Sequence, residues 1–125
     1  MGTESKLSDE PDLDDERAGS RALQISNAIG RVHKEFVGRG PTAVRTHLVD
    51  DLVVCVLEGG LTQAERTVWE HAGEPAVWEM RSRLQRAMKQ EIVRTVEAIV
   101  GRPVVSFMSG NDVEQNLQTE VIVLG

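Results

Sequence analysis

Aromatic side chains are nearly absent from this 125-residue chain: Phe36, Trp69, Trp78 and Phe107, with no tyrosine. So few rings argue against a base-stacking platform for single-stranded nucleic acid. Cys55 is the sole cysteine, so no intrachain disulfide can form. No apolar run approaches the roughly 18–20 residues of a membrane-spanning helix. The opening MGTESKLSDE lacks the apolar stretch of a secretory signal. These absences predict a cytoplasmic chain. Positive charge is also scarce, with 14 Lys+Arg against 20 Asp+Glu and a net charge of −6. A fold-wide phosphate-binding surface needs clustered basic residues, so nucleic acid is not an expected partner.

The charge that is present is unevenly placed. Residues 1–20 hold seven acids and two bases, a net −5, whereas residues 21–125 hold 13 acids and 12 bases. Residues 1–19 also carry Ser, Gly and Pro with only two isolated leucines. Such a segment buries too little apolar surface to offset its ordering entropy, so it is expected to be a disordered acidic tail. A single domain is expected over residues 20–125.

Within that domain Ser20 reads as an N-cap. Ile25, Ile29, Val32 and Phe36 then repeat at helical spacing. Gly38-Arg39-Gly40-Pro41 stops the helix. Thr42–Val49 alternates as a strand, with Thr42, Val44, Thr46 and Leu48 on one face and Arg45 and His47 on the other. Asp50-Asp51 makes a tight turn into the apolar strand Leu52–Leu57. Thr62-Gln63-Ala64-Glu65 fits a capping box opening a short helix that ends near Gly73. Pro75 suits the first turn of a long helix reaching Val100. Its stripe is Val77, Met80 or Arg81, Leu84, Met88, Ile92, Val96 and Ile99. After Gly101-Arg102-Pro103 come strands at Val104–Met108 and Leu117–Leu124, with Asn111-Asp112 in the turn region between them.

The order predicts an α+β fold. Two helix-strand-strand units pair into a four-stranded antiparallel sheet with helices packed on one face, one of them long. A 26-residue helix spans ~39 Å, whereas a seven-residue strand spans ~23 Å. The helix should therefore overhang, kink or meet a second subunit. Trp69 and Trp78 lie at that end, so a homodimer is expected, with Trp69, Trp78, Arg83 and Arg86 as interface residues.

No constellation signals catalysis. His33, His47 and His71 show no metal-ligand spacing with each other or with Cys55, so no metal site is expected. His33 reads as a boundary histidine, Cys55 as a small buried hydrophobe, and Asp50-Asp51 as turn residues. No cofactor motif appears, and the Gly38–Pro41 loop lacks the P-loop pattern. A G-x-x-G loop of the KH type is also missing between the two later helices. The most distinctive local sequence is Gly38-Arg39-Gly40, whose glycines allow an anion nest. Arg102 sits comparably in the second unit, and His47 is the third candidate ligand. Two readings stay open for this set: a small-anion site, or a helix cap with a solvated arginine. Arg81, Arg83, Arg86, Lys89 and Arg94 make the long helix basic, with Glu79→Arg83 and Arg94→Glu97 as candidate pairs. That strip reads as a solvated face or as a dock for an acidic partner.

Ile25-Ser26-Asn27-Ala28-Ile29, His33-Lys34-Glu35 and Gly38-Arg39-Gly40-Pro41-Thr42 together resemble the opening of the MpsC-like family. The likeness continues through Asp51-Leu52-Val53-Val54, Leu57-Glu58-Gly59, Leu61-Thr62-x-x-Glu65, Arg81 to Gln85, Val96-Glu97 and Gly101-Arg102. It covers about residues 21–125. The family name refers to a sodium-translocating, membrane-potential-generating system. The resemblance therefore implies a non-enzymatic accessory of a membrane cation-translocating complex, and it carries over no catalytic residue. A chain with no span cannot itself form the ion path, so a soluble role beside a membrane partner is implied. The alternative is a small-anion ligand-binding or enzymatic domain using Arg39 and Arg102.

Overall fold

The computed structural model describes residues 13–125. The order of elements is α1 (Leu13–Val37), β1 (Ala43–Val49), β2 (Leu52–Glu58), α2 (Gln63–Ala72), α3 (Glu74–Val100), β3 (Val104–Asp112) and β4 (Leu117–Leu124). This is an α+β fold with one antiparallel sheet in the order β1-β2-β4-β3. The two helix-strand-strand units meet through β2 and β4.

α1 starts at Leu13, seven residues before the expected cap at Ser20. Of the expected acidic tail, residues 1–12 lie outside the described residues, and residues 13–19 are helical. One tertiary and one local feature favour the earlier start. Partly buried Ala18 sits in a groove with Leu48, Val100 and Leu124, which gives this turn an apolar anchor. Glu16 lies in the first turn, where a carboxylate suits the positive end of the helix dipole. Phe36 departs from its expected place on the apolar stripe and is 45% exposed, while Val37 packs against the core.

The main core lies between the sheet and the two long helices. Ile25, Ile29 and Val32 of α1 meet Met88, Ile92 and Val96 of α3 over Val53, Cys55, Leu57, Ile122 and Leu124. Side chains alternate along a strand, so one face of β2 and β4 is sealed while the other faces outward. The capping box forms as expected: Glu65 N donates to Thr62 Oγ1 at 3.1 Å, and Thr62 N donates to Glu65 Oε1 at 2.9 Å.

The hairpin between β3 and β4 differs from the expected one. β3 continues through Asn111 and Asp112, and the turn occupies residues 113–116. Asp112 Oδ1 accepts from Gln115 N at 3.1 Å, and Asn116 takes a left-handed conformation (φ 53°), which together close the turn later. Arg94 pairs with Glu91 rather than Glu97. Glu97 instead accepts from Val104 N at 2.8 Å, fastening the end of α3 to the start of β3.

The 27-residue α3 does overhang the sheet, and the overhang is covered within the same chain. Leu61, Val77 and Val113 form a second small core, with Val68 and Trp69 packed on it. The length of α3 therefore needs no second subunit, because α2 and the β3–β4 turn fill the space.

Gly59 has φ 69°, and a Cβ there would lie 2.4 Å from Thr42 Oγ1 and 2.8 Å from Thr42 Cγ2. Thr42 is itself held by a 3.0 Å bond to Glu58 O. Gly59→Ala combines left-handed strain with this clash. It should cost about 1–3 kcal/mol in urea unfolding; a change below a few tenths would show that Thr42 yields freely.

Candidate functional site

β4 presents Gln118, Glu120, Ile122 and Leu124 to the helices, so half of its inward face is polar. These two polar residues are the floor of a buried cluster drawn from five elements. Arg81 of α3 is at its centre. Its Nη1 donates to both Glu65 carboxylate oxygens at 3.1 and 3.0 Å, and its Nη2 donates to Gln118 Oε1 at 2.7 Å. Its Nε donates to Asn111 Oδ1 at 3.3 Å. Asn111 and Gln85 exchange side-chain bonds at 3.0 and 3.1 Å.

The cluster continues towards α1. Gln118 Nε2 donates to Glu120 Oε1 at 3.1 Å and lies 3.2 Å from His33 Nε2. His33 Nδ1 is 2.9 Å from Ile29 O. A carbonyl can only accept, so Nδ1 carries the proton and Nε2 is free to accept from Gln118. Burial lowers the His33 pKa, which favours this neutral ring. His33 Nε2 and Glu120 Oε1, 3.9 Å apart, therefore do not form a full ion pair.

Glu120 is completely buried, and burial pushes its carboxyl up to about 7, against the opposing pull of hydrogen bonds from Ser109 and Gln118. Ser109 Oγ donates to Glu120 Oε2 at 2.5 Å. Among the described residues, no buried side-chain nitrogen or oxygen lacks a hydrogen-bond partner. A small cavity beside the cluster, with Arg39, Pro41 and Gly60 on its walls, has a volume of about 20 Å³. That is room for a single water. No group of three or more His, Cys, Asp or Glu is placed to hold a metal among the described residues.

The structure separates the residues expected to share an anion site. β1 and β3 run in opposite directions in this sheet, so the loops preceding them lie at opposite ends. Arg39, between Gly38 and Gly40 in the chain, lines the cavity, and its Nη1 donates to Leu61 O at 3.4 Å. Arg102 is at the other end, donating to Gly125 O at 2.9 Å and Asp50 O at 3.3 Å. His47 is exposed on the outward face of β1. Arg39, Arg102 and His47 therefore do not converge on one ligand. Of the expected interface residues, Trp69 supports the second core and Trp78 is 52% exposed. Trp78 shares a groove with Arg86, Lys89 and Phe107, while Arg83 pairs with Glu79 at 3.0 Å. Burial raises the Cys55 thiol to about 11, leaving it unreactive.

Sequence reasoning missed most of the buried cluster, although one signal was available. The strand period of two ties Glu120 and Gln118 to the same face as Ile122 and Leu124. If the last two point inward, so do the first two. Arg81 likewise occupies a position in the apolar stripe of α3.

The molecule is thus an α+β domain whose sheet is covered on one side and whose core holds a closed ionic cluster. The chain belongs to the MpsC family, described as a Na+-translocating membrane potential-generating system, which it matches over residues 17–125. It is 28% identical over 116 residues to the Bacillus subtilis (strain 168) protein YbcI, described as uncharacterized, spanning 80% of this chain and 94% of that one. It is 26% identical over 105 residues to YrhF of the same organism, also described as uncharacterized, spanning 80% and 84%. No solved structure matches the chain. No described helix is long and apolar enough to cross a membrane.

Proposed function

We propose that this protein works through its surfaces, as a non-enzymatic accessory module of a membrane Na+-translocating assembly. One observation carries the reading. The side-chain nitrogens and oxygens of the buried cluster are already hydrogen-bonded within the fold, and the adjoining cavity of about 20 Å³ takes about one water. The cluster's work is to lock α1, α2 and α3 onto β3 and β4. The family description supplies the setting. In this reading the ion path belongs to membrane-embedded partners, and this domain docks on them from the aqueous side. The groove beside α3 fits an acidic, partly apolar segment of such a partner, because it combines Arg86 and Lys89 with the rings of Trp78 and Phe107.

Affinity purification from the native host with the membrane fraction retained tests this. Membrane cation-transport subunits should co-purify, and Arg86→Glu with Trp78→Ala should reduce their recovery several-fold. A protein that stays wholly partner-free in its native host would sink the accessory reading.

A further inference from the structure

The outward face of the sheet is apolar at its centre. Val54 and Val56 of β2 lie beside Val121 and Thr119 of β4, and Leu52 pairs with Val123. These side chains alternate with the buried Val53, Cys55, Ile122 and Leu124, so they point away from α1 and α3. None belongs to either hydrophobic core. The edge strands extend the patch with Val49, 57% exposed, and Met108, 51% exposed. A soluble chain that leaves a contiguous valine surface in the middle of a sheet has an interaction site there.

We infer that this face is where a second copy of the chain packs, sheet against sheet, giving a two-fold dimer with the helices on the outside. Three observations select a second copy. The first is area. Four strands about 4.8 Å apart and seven residues long cover about 450 Å² in projection. With side-chain relief, two such faces bury roughly 1,200 Å², the lower end of stable specific interfaces. The second is charge. Arg45 and Glu58 on this face pair with each other at 3.8 Å, and its other ionisable groups, His47 and Asp112, sit on the edge strands away from the central valines, so the patch itself meets no like-charge block. The third is shape. The valines straddle the β2–β4 midline, so a two-fold operation lays the patch on itself, as an isologous interface requires, in the aligned packing that sheets adopt. Residues 1–12 are a poor alternative cover, because they hold four acids and Leu7 as their only leucine.

This inference deepens the reading of the protein as an interaction module by naming the occupant of one surface. It is tested on purified full-length protein, so its outcome is independent of any membrane partner. Light scattering and sedimentation across a micromolar series should give twice the chain mass. Val121→Lys should weaken the dimer at least 100-fold with unchanged circular dichroism. Val121→Thr keeps the branched shape suited to a strand, and it should weaken the dimer about tenfold even if the lysine variant folds poorly. Trp78→Ala should leave the dimer intact. A wild-type monomer at 100 μM would overturn the inference, as would a dimer that survives Val121→Thr and dissociates on Trp78→Ala.

Discussion

Arg81→Met should destabilise the domain by about 3–5 kcal/mol in urea unfolding at neutral pH, the usual cost of stripping a buried charge of its partner. The guanidinium holds Glu65 through two bonds near 3 Å, and Glu65 is 1% exposed. Without Arg81, that buried carboxylate keeps Thr62 N as a donor but loses the cation bonded to it. Glu65 is also the reciprocal member of the capping box, so a displaced carboxylate loosens the start of α2. Replacing both partners should cost less than the sum of the single changes, because Glu65→Gln/Arg81→Met leaves no charge stranded. A double-mutant cycle reads that coupling directly. If Arg81→Met costs under 1 kcal/mol, the ion pair does not lock the helices to the sheet.

The second large effect is a pH dependence at Glu120. Its carboxyl lies at about 7 in the folded protein against an ordinary 4.5, chiefly through burial. The folded state therefore binds this proton more tightly than the unfolded chain. The resulting stability is complete below about 4.5 and is lost as pH rises through about 7. Glu120→Gln mimics the protonated group. It should match wild type near pH 4 and exceed it at pH 8, by up to about 3 kcal/mol. His33 acts in the opposite direction. Its pKa is lowered by burial, so its contribution is present above 6.5 and lost as pH falls. The wild-type profile thus partly cancels between pH 4.5 and 6.5, and the difference between wild type and Glu120→Gln isolates the carboxyl. A difference that stays flat from pH 5 to 8 would show that Glu120 ionises normally within the fold.

The fold was legible in the sequence wherever a local rule decided the outcome. Periodicity located α3 and its stripe, Gly101 ended it, and Thr62 with Glu65 opened α2. The alternating strands and the Asp50-Asp51 turn gave the first hairpin. Features set by contacts between distant segments were not legible. α1 extends back to Leu13, where partly buried Ala18 shares a groove with Leu48 and Val100. The overhang of α3 is covered because Val113, from the β3–β4 turn, reaches Val77. The candidate site was legible only in part. Arg39, distinctive in the sequence, stands beside the cavity, but the residues of the ionic cluster read from sequence as a cap, a stripe position and an apolar strand.

Sequence alone determined the type and order of the elements, though not where the first helix starts or where β3 ends, and that two similar units build one sheet, because hydrogen-bonding rules and side-chain periodicity act within a few residues. Only the tertiary structure decided what the polar residues do. Antiparallel β1 and β3 send Arg39 and Arg102 to opposite ends, while Arg81 comes within 3.1 Å of both Glu65 and Gln118, which are 53 positions apart in the chain. The physical reason is that a buried charge must find a partner from whatever elements surround it, and those neighbours are chosen by topology rather than by sequence distance.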